Sequence, residues 1–265
     1  MMLHVLRFHS SWLYLKSKIH RLEVSSMTDD RKHILEMYQG LRVTDVGDGM
    51  DYCMLQDLGR MSHEIKPLWR DIENFAHRIY GFAHTVRFVP TQRRVPTMPP
   101  EEFRKYVGDW YRDLAQGPIG DEIQEGDVIV IDGMDTDVGF IGSNNCMGWL
   151  ARGAVGAVTN AGCRDTDELI KQKCPVYYRY IAPAIRPGRL ELESTNKIIN
   201  CGGVMVRPGD LIVADGDGVI LVPIEKVEDV AEHARRIADG DKAGRRRLYE
   251  KLGLPLDDTV KPLEE

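Results

Sequence analysis

The sequence predicts an α/β protein: a central sheet of mixed strands with flanking helices. Three observations lead there. Gly126-Asp-Val-Ile-Val-Ile-Asp132 is an unbroken apolar strand, the pattern of a strand covered on both faces. Val155-Gly-Ala-Val-Thr159 is a second small-residue and β-branched run. Each run is followed by a helix-start signal, at Gly142 and at Asp165, which gives the alternation of an α/β chain.

The remaining elements follow in order. Ile34, Met37 and Tyr38 space as one helical face between Asp29 and about Gln39, and Thr44-Asp45 opens a second helix to about Asp57. His63–Trp69 reads as a loop before the strand-like Ile79–Arg87. From about Phe88 to Gly120 runs a charged insert with Pro90, Pro96, Pro99 and Pro100 and a helix around Glu101–Leu114. Its Arg93, Arg94 and Arg104 fit a surface excursion, or a lid bringing cations to an acidic substrate. Asp132, Asp135 and Asp137 are turn formers, and the same residues form a weak carboxylate cluster for a metal. Gly142-Ser-Asn-Asn145 starts a helix to about Arg152, with Ser143 and Asn144 as natural caps.

After the strand at Val155, a turn is expected at Ala161-Gly-Cys163, then a short helix toward Lys173 that Pro175 stops. Pro175–Tyr178 and Gly203–Val206 read as strands, and Leu211–Ala214 with Val219–Val222 as a hairpin. Past Pro223, the positions Val227, Val230, Ala231, Ala234 and Ile237 form one face of an amphipathic helix.

Composition excludes several classes. At 265 residues, 29 % charged and a formal charge of −6, the chain is not a general nucleic-acid binder. The five cysteines lack CxxC or CxxH spacing, which points to reduced thiols and a cytoplasmic protein. Gly47-x-Gly49 lacks the third glycine of a dinucleotide fingerprint, and no P-loop, HExxH or GxSxG is present. Asp215-x-Asp217-Gly218 places its glycine too early for a calcium loop. Residues 1–26 are basic and too interrupted for a membrane span or signal core; they read as an extension outside the fold, before Met27-Thr-Asp-Asp30.

The chemistry concentrates at Arg164-Asp165, where a strand end meets a helix start. A guanidinium there can hold a carboxylate or enolate oxygen, and a carboxylate can hold a hard cation such as Mg²⁺. The same residues also read as a cap, since Asp165-x-x-Glu168 fits a capping box with Arg164 as a surface partner. The glycine-led helix start at Gly142 presents free N–H groups to an anion. Together these features describe a pocket for a 2-oxo acid. Cys163 abuts the pair, but no histidine lies near it in sequence to make it a nucleophile.

Several ordered segments also resemble one family, the RraA-like proteins, which include class II 4-hydroxy-4-methyl-2-oxoglutarate aldolases. They are Ile65-Lys-Pro-Leu-Trp69, Gly81–Arg87, Gly126–Gly133, the helix-opening Gly142, Gly162-Cys-Arg-Asp165, Val204–Asp210 and Ala214–Val219. The resemblance spans roughly Leu41 to Pro223 apart from the insert. It implies a swivelling β/β/α, phosphohistidine-domain-like fold over 27–223, followed by a helical tail at 224–265. It also implies homotrimers or homohexamers with sites between subunits. By the same resemblance, Asp165 ligates Mg²⁺ or Mn²⁺ and Arg164 holds the pyruvyl oxygen. The segment Gly142, Ser143, Asn144 and Asn145 holds the substrate carboxylate through backbone N–H groups, and Glu168 is the acid of the aldolase pattern. Ser143 stands where the family usually carries an acid.

The expected activity is therefore a metal-dependent aldolase or oxo-acid decarboxylase acting on a small hydroxy or oxo dicarboxylate, with no nucleic-acid or membrane partner. The alternatives are a non-catalytic regulator binding a ribonuclease or helicase, and another enolate chemistry in the same pocket. A methyltransferase is excluded by the lack of a glycine-rich SAM-binding loop after a first strand.

Overall fold

The computed structural model describes residues 29–116 and 122–261. The extension expected at 1–26 lies outside them. The chain divides into two units, Met1–Gln39 and Gly40–Glu265. The described part of the first is helix α1 over residues 29–38, as its apolar spacing predicts.

The second unit holds a mixed sheet in the order β1-β7-β5-β3-β2-β12-β13. Its strands are β1 (Lys66–Pro67), β2 (Ile79–Pro90), β3 (Asp127–Asp132), β5 (Gly156–Thr159), β7 (Val176–Tyr178), β12 (Leu211–Asp215) and β13 (Gly218–Val222). β2, β3, β5 and β7 run parallel. β1, β12 and β13 pair antiparallel with their neighbours. β2 is long enough to pair with β12 near its start and with β9 (Leu190–Thr195) near its end, across a bulge at Arg87/Phe88. The sequence reading had no strand at β9, because its short Leu-Glu-Leu-Glu alternation carries little signal without a partner.

Strand β3 is buried at every position, and its side chains alternate between two cores. Ile129 and Ile131 join Phe88, Phe140, Cys163, Leu169 and Trp149 on one face. Val128 and Val130 join Ile65, Tyr177, Ile212 and the hairpin β10 (Ile199–Cys201)–β11 (Val204–Val206) on the other. The first face carries a small parallel sheet in the order β4 (Gly139–Ile141), β6 (Gly162–Cys163), β8 (Tyr180–Ile181). Helices α4 (Ser143–Leu150) and α5 (Thr166–Lys171) follow β4 and β6. Sheet, second sheet and helices make the expected β/β/α arrangement.

Two helix ends differ from the sequence reading. Helix α2 spans Val43–Tyr52, stopping short of Asp57. Met54 adopts a left-handed conformation (φ 60°), and the Leu55 N–H bonds Met50 O at 2.9 Å, a Schellman stop without the usual glycine. The terminal helix α6 (Val227–Leu252) buries Val227, Val230, Ala231, Ala234 and Ala238; Ile237 is only half-buried. Helix α3 (Pro100–Asp113) forms in the insert, which is fastened to the body where Trp110 Nε1 donates to Leu190 O at 2.9 Å.

Helix α6 packs on α2 at Gly49, where an added Cβ would lie 2.7 Å from Val230 O. Gly49→Ala is expected to destabilise the chain by about 1–3 kcal/mol, as overpacking of a helix contact does, read as a lowered denaturation midpoint at unchanged m-value.

His84 on β2 is 3 % exposed, with Nδ1 3.7 Å from Asp127 and Nε2 3.9 Å from Glu122. Its Nε2 has no hydrogen-bond partner, and burial pulls its pKa below 6.5 despite both carboxylates. The folded state therefore binds this proton less readily than the unfolded chain. The stability it contributes is present above about pH 6.5 and is lost as pH falls through the folded pKa. Unfolding free energy should drop on acidification by up to about 1.4 kcal/mol per pH unit from this group, and His84→Gln should remove that component of the slope.

Candidate active site

β4 and β6 lie side by side and parallel, with Ile141 opposite Cys163 and Gly139 opposite Gly162. Both strands end at the same edge. Gly142 then caps α4, and Arg164-Asp165 lead into α5. Two helix N-termini thus open next to each other, at the carboxyl ends of parallel strands, where α/β folds place ligands. Gly162 and Cys163, expected in a turn, are themselves the strand; the turn is at Asn160-Ala161.

Glycines permit this approach. A Cβ at Gly162 would lie 2.5 Å from Val138 O, and one at Gly139 would lie 2.5 Å from Ala182 O and 3.0 Å from Arg164 Cδ. The aliphatic stem of Arg164 therefore passes over Gly139, a contact that sequence reading missed. The signal available was a glycine inside a strand, which marks close backbone approach. Arg164 N–H donates to Ile141 O at 2.8 Å and locks the two strand ends together.

Asp165 is left-handed (φ 56°, ψ 41°), a conformation that costs a non-glycine residue about 1–3 kcal/mol and that aspartate tolerates better than most. Its side chain does not cap its own helix, so the capping-box reading with Glu168 fails. Instead Oδ2 accepts the Ser143 N–H at 3.1 Å, capping α4 across the strand boundary. The left-handed turn makes this possible by aiming the carboxylate away from α5. Oδ1 accepts from Arg164 Nε at 3.3 Å. Arg164 and Asp165 side chains are 33 % and 37 % exposed.

The predicted loop residues divide accordingly. Gly142 is buried and is the N-cap; neither Ser143 nor Asn144 supplies a side-chain cap. Ser143 N–H is taken by Asp165, while the first α-helical bond is Cys146 N–H to Gly142 O. The N–H groups of Asn144 and Asn145 lie ahead of that bond and point out of the first turn. Asn145 Nδ2 reaches back to Phe140 O at 3.4 Å. Glu168 is exposed on the first turn of α5. The structure thus gathers Gly142, Ser143, Arg164 and Asp165, with Asn144, Asn145 and Glu168 on the two adjoining first turns.

Three other readings are corrected or narrowed. Cys163 is fully buried and its thiol is pushed up to about 12 by desolvation, which makes it a poor nucleophile. Asp132 accepts from Met134 N–H and Asn160 Nδ2, and Asp135 pairs with Arg179 at 2.5 Å, so Asp132 and Asp135 brace loops. No group of three His, Cys, Asp or Glu suited to a metal occurs among the described residues. A cleft of about 350 Å³ between α2 and the β12–β13 hairpin is lined by Asp48, Asp51, His63 and Asp217 and contains none of the predicted site residues.

The donor set at Asp165 is of the kind a hard cation takes: one carboxylate, 37 % exposed, at the open end of two strands. Mg²⁺ and Mn²⁺ accept one or two carboxylates and complete their shell with water and substrate oxygens, whereas zinc calls for a nitrogen and sulfur cluster.

Comparison with known proteins bears on the same segment. The RraA-like family (Aldolase/RraA) matches residues 43–221, from α2 through β13. The chain belongs to the RraA-like family. An uncharacterised protein of Methanocaldococcus jannaschii is 34 % identical over 98 residues, 37 % of this chain and 46 % of its own length. A Halalkalibacterium halodurans protein, provisionally named 4-hydroxy-4-methyl-2-oxoglutarate aldolase, is 33 % identical over 134 residues, 49 % of this chain and 62 % of its own. The chain thus spans about half to three-fifths of these curated relatives. The crystal structure of Streptomyces coelicolor RraAS2, described as an unusual member of the RNase ES inhibitor RraA family, superposes with a TM-score of 0.62. That alignment covers 80 % of this chain and 96 % of the other at 19 % identity, and it establishes the shared RraA fold.

A Cβ at Gly142 would lie 2.8 Å from Asp165 Oδ2. Gly142→Ala is expected to dislodge the carboxylate from the Ser143 N–H. The loss should appear as an upfield amide shift for Ser143 and a stability decrease of about 1 kcal/mol.

Proposed function

We propose that the β4/β6 edge is the active site of a divalent-metal-dependent carbon–carbon lyase. Its substrate class is a pyruvyl-containing hydroxy or oxo dicarboxylate, cleaved by retro-aldol reaction or decarboxylated through a pyruvate enolate. The observation that carries this reading is the single polar edge formed by Arg164, Asp165 and the open first turn of α4. The aldolase name of the 33 %-identical relative supports it.

Asp165 would hold Mg²⁺ or Mn²⁺. Such an ion, when bound, polarises a carbonyl oxygen and stabilises negative charge developing on it. Arg164 binds the substrate's C2 oxygen through its guanidinium, whose Nε remains tethered to Asp165. The N–H groups of Asn144 and Asn145 receive the adjacent carboxylate, assisted by the helix dipole. The C3–C4 bond then breaks with its electron pair delocalised onto the C2 oxygen, where the fixed positive charge of Arg164 favours it. A retro-aldol substrate gives up its C4 hydroxyl proton as that bond breaks; an oxaloacetate-like acid releases CO₂ instead. Glu168, exposed beside the site, takes or returns the proton, and protonation at C3 completes pyruvate. As in the family resemblance, we propose assembly as a trimer or hexamer, which light scattering of the purified chain will read. Among the described residues no helix is long and apolar enough to cross a membrane.

Pyruvate release from oxaloacetate and from 4-hydroxy-4-methyl-2-oxoglutarate should require Mg²⁺ or Mn²⁺ and stop with EDTA. Asp165→Ala should abolish it. Arg164→Lys keeps the charge but loses the planar fork, and should lower kcat/KM by about 10²–10³. Release that survives both EDTA and Asp165→Ala would sink the proposal.

A further inference from the structure

The chain after α2 folds into a wall before it reaches the main sheet. Gln56 Nε2 donates to Asp51 O at 3.1 Å, Leu58 N–H donates to Leu55 O at 3.3 Å, and Asp57 is left-handed (φ 59°). The wall then joins β13. Leu221 N–H donates to Gly59 O at 2.9 Å, Met61 N–H donates to Val219 O at 3.1 Å, and Arg60 bridges to Ile220. No room is left for a Cβ at Gly59 against Leu221 O. Between this wall, α2 and the β12–β13 turn lies the cleft of about 350 Å³. Its floor is apolar, with Val43, Gly47, Met50, Leu55, Val219 and Ile220 among the lining residues. Its rim is acidic. Asp48 and Asp51 stand three residues apart on one face of α2, and Asp217 stands on the hairpin turn. The rim guanidinium, Arg60, is taken by Asp57 at 2.5 Å. Asp48, Asp51 and Asp217 make no ion pair among the described residues.

We propose that this cleft binds a linear aliphatic polyamine, its ammonium groups against the rim carboxylates and its methylenes on the apolar floor. A cleft of this size, largely apolar with a few polar groups at its mouth, is the usual form of a small-molecule site. The charge complementarity selects the class. Carboxylates stand on two walls, α2 and the hairpin turn, so a ligand with a cation at each end meets both. An anion is repelled by the same rim. An inorganic cation gains nothing from the floor, and no group of three His, Cys, Asp or Glu suited to a metal occurs among the described residues. Burial, then the neighbouring Asp45 and Asp51, holds the Asp48 carboxyl above its ordinary value. An ammonium group placed there relieves that repulsion. The backbone bonds of the wall hold the cleft open in advance, so binding orders little of the chain.

The test is calorimetric titration of the full chain with spermidine, and with diamines of three and six methylenes. One spermidine per chain should bind. Asp48→Asn, Asp51→Asn and Asp217→Asn should each weaken it about 2–5-fold, as the loss of one exposed ion pair does. The longer diamine should bind more tightly than the shorter, by up to about fourfold for each methylene buried. Gly47→Leu fills the floor without altering a charge. A Cβ there has room, 3.7 Å from Ile220 Cδ1, and leucine is the better helix former, so this variant should fold, checked by circular dichroism, and lose binding. No spermidine binding by the folded wild type overturns the proposal. Equal affinity for the two diamines, displacement by Mg²⁺ at the same concentration, or binding that survives Gly47→Leu also overturns it, since each marks a diffuse counterion. These readouts involve neither turnover nor a residue of the β4/β6 edge, so they stand or fall separately from the lyase proposal.

Discussion

The bond from the Ser143 N–H to the Asp165 carboxylate is the interaction on which the site's geometry depends. It joins the first turn of one helix to the residue that opens another, across two parallel strands only three and two residues long. Short strands supply few ladder bonds of their own. The cross-cap and the Arg164 N–H to Ile141 O bond hold their ends in register, while three glycines let the backbones close in. The left-handed backbone at Asp165 is the cost of this arrangement, and a charge-assisted bond to a helix N-terminus offsets it.

The electrostatic character of the edge follows. The first turn of α4 and the Arg164 guanidinium offer N–H donors there, while Asp165 and the acidic first turn of α5, with Asp167 and Glu168, supply negative charge. An anion approaching such a place meets N–H donors and Arg164, whereas a hard cation finds Asp165. These contacts also restrict Asp165, since each of its oxygens already accepts one hydrogen bond, Oδ2 from Ser143 N–H and Oδ1 from Arg164 Nε.

The insert is tied to this body more firmly than its prolines suggest. β2 continues to Pro90 and pairs with β9, Trp110 bonds to Leu190 O, and Arg93 is engaged by Glu191 at 3.0 Å. Arg186 lies buried between the Phe88 and Tyr111 rings at 5.2 and 5.1 Å, where burial lowers its pKa. Aromatic faces stabilise a cation that has lost its water. Helix α3 thus extends the core that Ile129 and Ile131 share with Phe88, through Trp110 and Leu190.

The sequence by itself determined the α/β class, the buried strand at Asp127–Asp132, the β12–β13 hairpin, and the placing of Arg164-Asp165 between a strand and a helix. Those features rest on local periodicity and turn chemistry, which neighbouring residues carry. It also carried enough ordered segments to indicate the RraA-like family. Only the tertiary structure decided which helix Asp165 caps, that Gly162-Cys163 is a strand, and that Arg164 lies over Gly139. It likewise turned Asp132 and Asp135 into loop braces and supplied β9 as a partner for β2. Each of these depends on a residue about twenty or more positions away in sequence, and a carboxylate or a two-residue strand has no preference of its own until that partner is in place.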